Sequence, residues 1–315
     1  MAQVSIVTSQ AGAMIRDDDA MRFMFVGDSM TIGRAGDFTW RYRMWQHLEA
    51  SFDGPYAIVG PRTGLHDTTT GTPVSRAYGA PAFPADARHH LAGWGEGWLH
   101  MAPVIADTVA AHRADILLVS LGLIDLGFYT DSEQTARNAR AFLAAARTAN
   151  PHIRCVLLPV IPNIRAETDA PFAAECERFN ELLAKAVADL DEPTSPILLA
   201  SRPPGYDIHT DTYDGTHPGP SGEHALAAAY ADAMHQAWGL GGPYRGAAET
   251  SRWSCLEPVP QGSPGNELVS GPDTPGPHRF AREQDRAEVT EGPAVITSPS
   301  ASPVRASAPP AVRTG

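Results

Sequence analysis

The stretch Phe25-Val26-Gly27-Asp28-Ser29-Met30-Thr31-Ile32-Gly33 decides the fold. The apolar run Arg22–Val26 ends at a glycine, and two polar residues follow before the chain turns away. That is the pattern of a buried strand whose carboxyl end opens into a loop, where open α/β sheets place their ligands. Four further runs repeat it outward along the chain: Tyr56–Val59, Ile116–Leu121, Ile153–Val160 and Ile197–Ala200. Each is short, rich in branched apolar residues and bounded by Gly, Pro or Asp, as strands covered on both faces are. Between them lie stretches of helical period. Trp40, Met44, Trp45 and Leu48 share one face, and further helices are expected over His100–His112, Glu133–Thr148, Phe172–Leu190 and Ser221–Trp238. Ser132-Glu133 reads as a helix start and Asn150-Pro151 as a stop. Strands alternating with helices predict a three-layer α/β/α sandwich with about five parallel strands.

The 315 residues carry 24 basic and 36 acidic groups, a net charge of −12, and 43% are hydrophobic. That is ample for a buried core. The acidic balance excludes nucleic acid and an anionic membrane surface as main partners, since either needs a basic face. No run reaches the ~18 apolar residues of a membrane helix. The first twenty residues lack a basic and then apolar leader and end in Asp17-Asp18-Asp19, so no signal peptide and a cytoplasmic location are expected, with translation opening at Met1 or Met21. Lys185 is the sole lysine. With abundant Ala, Gly and Pro, this reads as the codon usage of a GC-rich bacterial genome. Cys155, Cys176 and Cys255 are odd in number and widely spaced, neither a disulfide framework nor a zinc set, and Cys155 reads as a buried thiol.

Three segments are expected: an N-terminal extension (residues 1–20), a folded domain (21–242) and a tail (243–315). The tail holds twelve prolines in 73 residues, with seven Arg against eight Asp plus Glu, and is expected to be disordered. Inside the domain, Gly60–Gly97 is rich in Gly, Pro, Thr and His with little periodicity. A loop of that length is functional or disordered.

Ser29 sits where a nucleophile on a parallel sheet belongs. A partner lies in Tyr213-Asp214-Gly215-Thr216-His217-Pro218, between the last strand and the last helix. His217 is placed to take the serine proton and Asp214 to fix its tautomer. The competing reading is a turn aspartate and a surface histidine.

With Gly27-Asp28-Ser29 and Asp214-Gly215-Thr216-His217 in this order, the sequence resembles the SGNH (GDSL-type) hydrolase superfamily over about Met21 to Trp238. The resemblance implies a flavodoxin-like α/β/α sandwich and a Ser29–His217–Asp214 triad. It further implies an ester hydrolase, lipase, thioesterase, carbohydrate O-deacetylase or acyltransferase that needs no cofactor. The Gly-x-Ser-x-Gly elbow of ordinary α/β-hydrolases is absent. Two further family blocks supply an oxyanion hole. The first falls in Ala92-Gly93-Trp94-Gly95-Glu96-Gly97-Trp98, where Gly95 has the best spacing and Gly93 and Gly97 stay open. The second, Gly-x-Asn-Asp in the family, reads Gly122-Leu123-Ile124-Asp125. Ile124 cannot donate a hydrogen bond, and losing one such donor slows acyl transfer by roughly 10²–10³-fold. Asp28 and Asp125 are counted with this oxyanion and substrate-binding set.

Ile124 admits three readings: a non-catalytic acyl- or carbohydrate-binding descendant, a substitute donor such as Asn163, or an apolar wall favouring transfer to a bound alcohol or amine. Trp94 and Trp98 either line a pocket or anchor a loop. Arg34, Arg41 and Arg43 either clamp an anion or form a solvated helix face. His89, His90, His209, Asp211 and His217 match no zinc spacing, and a metal-assisted route is carried only as a rival. Met30, Leu123, Ile124 and Leu126 give the site apolar bulk that favours an acyl group. The expectation is an ester hydrolase acting on a small-molecule acyl ester through an acyl-enzyme, in a setting such as secondary metabolism. It is expected to work as a monomer or dimer without metal, nucleic acid or membrane.

Overall fold

The computed structural model describes residues 20–246. Expectations for the N-terminal extension, the tail and Cys255 fall outside these residues, apart from Ala20 and residues 243–246. The elements run β1 (Met21–Gly27), α1 (Ser29–Ile32), α2 (Trp40–Ser51), β2 (Tyr56–Ile58), β3 (Leu65–Asp67), β4 (Thr72–Ser75) and β5 (Leu91–Ala92). They continue with α3 (Trp98–Met101), α4 (Ile105–His112), β6 (Ile116–Ser120), α5 (Ser132–Ala149), β7 (Arg154–Leu157), α6 (Ala170–Leu190), β8 (Ile197–Leu199) and α7 (Pro220–Trp238).

The main sheet has the order β2-β1-β6-β7-β8, and every pairing in it is parallel. All five apolar runs read from the sequence are in it. Phe23 to Val26 and Ile116 to Val119 have no exposed surface, as strands sandwiched between helix layers require. One layer packs α2 on α7, and the other packs α3 and α4 on α5 and α5 on α6. The chain leaves β1 for β2 on one side and later returns to β6 on the other. The carboxyl end of β1 is therefore a topological switch point.

Three local expectations need correction. Gly60–Gly97 is not structureless: β3 and β4 form an antiparallel hairpin, and β5 pairs with β1 through Val26–Leu91 and Gly27–Ala92. The helix read over His100–His112 is two helices separated by a turn at Ala102–Val104. Pro103 has no N–H to give Leu99 and so interrupts the ladder. The folded part also runs beyond residue 242. The Tyr244 ring lies 5.4 Å from that of His47, and its hydroxyl is 2.7 Å from His224 Nδ1.

Two ties brace the edge where β1 ends. Glu223, in the first turn of α7, accepts the Thr39 N–H (2.8 Å) and a bond from Arg43 Nε (3.1 Å). The second tie is Arg41, which is fully buried. Its Nε donates to Thr31 O (2.8 Å), Nη2 to Ile32 O (3.0 Å) and the Tyr78 hydroxyl (3.1 Å), and Nη1 to Arg88 O (3.1 Å). Arg41 and Arg43 are thus neither an anion clamp nor a solvated face. Their guanidinium groups are occupied by protein acceptors, and those of Arg41 join α1, α2 and the insertion. Arg41→Met leaves three carbonyls without this donor, two of them buried, and is expected to cost about 3 kcal/mol of stability. Urea unfolding reads this directly, and an unchanged midpoint would contradict the role.

Candidate active site

Gly27 ends β1 because nothing larger fits: a Cβ there would lie 2.0 Å from Thr31 Oγ1 and 2.9 Å from Ser120 O. The absent side chain lets the turn of α1 fold back against the strand. Asp28 caps that turn by accepting the Met30 N–H (2.9 Å). Ser29 is the first residue of α1, and its own N–H makes no hydrogen bond among the described residues.

Ser29, His217 and Asp214 form one hydrogen-bonded chain. Ser29 Oγ lies 2.9 Å from His217 Nε2 although the residues are 188 positions apart, and His217 Nδ1 lies 2.7 Å from Asp214 Oδ2. Asp214 Oδ1 also accepts the N–H groups of Thr216 (3.1 Å) and His217 (2.8 Å). Burial pushes the Asp214 carboxyl up, but the His217 bonds outweigh it and hold the group below its usual value. Ionised, Asp214 takes the Nδ1 proton as acceptor. Nε2 is then left to receive the bond from the Ser29 hydroxyl.

The three open glycines are separated by their hydrogen bonds. Gly93 N–H donates to Gly27 O (3.1 Å), continuing the β5 pairing, and Gly97 N–H donates to His100 Nδ1 (3.0 Å). Gly95 N–H has no partner among the described residues. It follows β5 as Ser29 follows β1, and Ala92 and Gly27 are paired across those strands.

Asp125 and Asp28 are both buried, and of the two only Asp28 borders the crevice beside Met30. Asp125 has no exposed surface, and its oxygens accept the N–H groups of Trp98 (2.8 Å) and Leu99 (3.1 Å) at the start of α3. A Cβ on Gly97 would fall 2.2 Å from that carboxylate, so the glycine loop and Asp125 fit only together. Ile124 is half-buried. Asn163 Nδ2 donates to Thr216 Oγ1 (3.2 Å), and Ile164 N–H donates to Gly215 O (2.8 Å), which ties the loop after β7 to the His217 turn. Met30 and Leu123 are buried and line a small crevice with Asp28, Ser120, Leu158 and Ile161.

The sequence reading missed the aromatic wall. Trp94 stacks on His217 (4.7 Å, 21°) and on His66 (4.3 Å, 20°). Tyr213 also stacks on His217 (5.7 Å, 16°), and the Arg34 guanidinium covers Tyr213 at 3.7 Å. Trp98, by contrast, is buried against Phe142. The other histidines are occupied separately. His90 is buried with Nε2 2.9 Å from Gly64 O and Nδ1 accepting the Ala92 N–H, and His209 pairs with Glu167. Among the described residues no three His, Cys, Asp or Glu side chains gather to hold a metal ion.

Burial lifts the Asp28 carboxyl to about 7, against the Met30 N–H and the pull of His217. The protonated form is favoured in the folded chain. Asp28 therefore contributes stability that is full below its unfolded value of 3.8 and is lost as pH rises to about 7. Asp28→Asn keeps the cap and removes the titration. Its unfolding free energy relative to wild type is expected to increase steadily between about pH 4 and pH 7. A difference independent of pH would contradict this.

The model of the GDSL-like lipase/acylhydrolase family matches residues 25–225. Among solved structures, a carbohydrate esterase family 3 protein from Talaromyces cellulolyticus is 23% identical with a TM-score of 0.56, the match covering 69% of this chain and 97% of that one. An acetyl esterase mutant with an acetate ion is 23% identical with a TM-score of 0.54, covering 66% and 93%. A family 3 carbohydrate esterase from Clostridium thermocellum is 18% identical with a TM-score of 0.53, covering 69% and 96%. At these identities the likeness is one of fold. No curated protein sequence matches the chain. Because the family model spans well over half its length, the chain belongs to the GDSL-like lipase/acylhydrolase family and is an ester-bond hydrolase.

Proposed function

We propose that the enzyme cleaves small acyl esters through an acyl-enzyme on Ser29, with His217 as general base and Asp214 as its orienting carboxylate. The observation that carries this is the unbroken run of hydrogen bonds, 2.9 Å and then 2.7 Å, from the serine hydroxyl through the imidazole to the carboxylate. Ser29 Oγ attacks the acyl carbonyl as its proton passes to His217 Nε2. The bond to the alcohol then breaks, and the imidazolium returns the proton to the departing oxygen. Water, activated by the same nitrogen, releases the acid and restores the hydroxyl. The developing oxyanion is received by the N–H groups of Ser29 and Gly95, neither of which carries another bond among the described residues. Ile124 supplies no third donor.

Transfer of the acyl group to a bound alcohol is the second reading. It is favoured by the apolar Ile124 and by the exposed Phe128 (72%), Tyr129 (51%) and Ile164 (43%) on the loops after β6 and β7. An acyl ester of an added alcohol among the products, in place of free acid, would select it.

Hydrolysis of 4-nitrophenyl acetate tests the proposal. Ser29→Ala and His217→Ala are each expected to lower kcat/KM by about 10³-fold or more. Ile124→Asn is expected to raise kcat by about tenfold or more by restoring a donor. Activity that survives either alanine variant would overturn the assignment. Unchanged turnover in Ile124→Asn would show that the oxyanion is already met by another donor.

A further inference from the structure

We propose that Trp94 and Tyr213 are positioning residues that hold the His217 ring by stacking on it. The inference rests on His217 serving as the base. The His217 ring centroid lies 4.7 Å from that of Trp94 and 5.7 Å from that of Tyr213, with planes tilted only 21° and 16° from its own. A ring held this way keeps in-plane freedom and loses the tilt that would carry Nε2 off Ser29 or Nδ1 off Asp214. Those two bonds lie in the imidazole plane, so the stack and the hydrogen bonds restrain complementary motions.

Each of the two aromatics has a further stacking neighbour. His66 stacks on Trp94 and the Arg34 guanidinium on Tyr213. The backbones carrying these two backing groups are joined to each other, since His66 N–H donates to Gly33 O (2.8 Å) and Ala35 N–H to His66 O (2.9 Å). Burial lowers the pKa of His66, which favours a neutral ring against the indole. With His217 and His66 both stacked on it, Trp94 is engaged by the protein's own rings, although 37% of it is exposed. The insertion between β2 and α3 thereby acquires a purpose, because it supplies both Trp94 and His66.

The stack also suits the charge that forms. When His217 takes the serine proton its ring becomes cationic against the negative faces of two aromatic systems. Side-chain exposure of only 14% keeps competing water away. The role proposed for both aromatics is on the His217 ring, so their loss is expected to act on kcat more than on KM.

The experiment measures kcat and KM for 4-nitrophenyl acetate in Trp94→Leu, Tyr213→Leu, Trp94→Phe and Tyr213→Phe, with thermal unfolding of each. The leucine variants are expected to lose about tenfold or more in kcat with KM within about twofold of wild type. The phenylalanine variants, which keep a ring, are expected to stay within about threefold in kcat. The Tyr213 hydroxyl is buried without a hydrogen-bond partner, so its removal is harmless to the stack. Trp94 adjoins Gly95 and Tyr213 does not, so a loss shared by both leucine variants belongs to His217 and not to the oxyanion donors. Should Trp94→Leu fail to fold, Tyr213→Leu carries the same expectation alone. Wild-type kcat in the folded leucine variants, or phenylalanine variants as impaired as the leucines, would overturn the clamp. If His217→Ala were as active as wild type, the reading of His217 as base would fall instead.

Discussion

A parallel sheet sends every loop that follows a strand to the same edge, and this constraint organises the molecule. Ser29 follows β1, Gly95 follows β5, Ile124 follows β6, Asn163 follows β7, and Asp214 and His217 follow β8. The register pairs Gly27 with Ala92 on one side and with Ser120 on the other, so these loops leave the sheet nearly level with one another. A 2.9 Å contact between residues 188 positions apart then asks little of local conformation. It asks that α7 begin at a fixed distance from the end of β1. Glu223 meets that demand by binding Thr39 N–H and Arg43 from the first turn of α7.

The edge is held by groups that are costly to bury. Desolvation raises the carboxyl pKa of Asp28, Asp125 and Glu223, the first and last to about 7. Arg41 carries a full charge inside the protein against three carbonyl oxygens and the Tyr78 hydroxyl, with no carboxylate among those partners. None of these is the cheapest way to fill space, and each fixes a loop or helix end against a neighbour. Stability is lower for it and the geometry at Ser29 is better defined, the usual balance at a functional edge.

The strands were legible because strands buried on both faces are continuous apolar runs, and Ser29 because it ends one of them. The pairing of Asp214 with His217 was legible as a turn just before the last helix. Other features leave no periodic trace. β5 is two residues long, and the β3–β4 hairpin is fixed by contacts to Arg34 and Gly33 far away in sequence. His66 and Tyr213 look like any loop histidine and tyrosine until the sheet edge brings them to His217. Arg41 was misread because an arginine satisfied by carbonyls has no acidic partner in the sequence to betray it. Asp125 stood next to Ile124 and was grouped with the site, whereas its oxygens serve the start of α3. A motif position names a residue and not what its atoms touch.

The unusual point of the chain is the apolar Ile124 in the loop after β6 together with an intact serine, imidazole and carboxylate. Two backbone donors and a histidine held by stacked aromatic rings are, on this account, enough for the serine to act as a nucleophile. Covalent labelling tests that most directly. Wild-type protein treated with a fluorophosphonate and digested for mass spectrometry is predicted to carry one phosphonyl group, on Ser29, and His217→Ala protein none. A wild-type chain left unmodified under conditions that label an ordinary serine esterase, or labelled at another residue, would contradict the account.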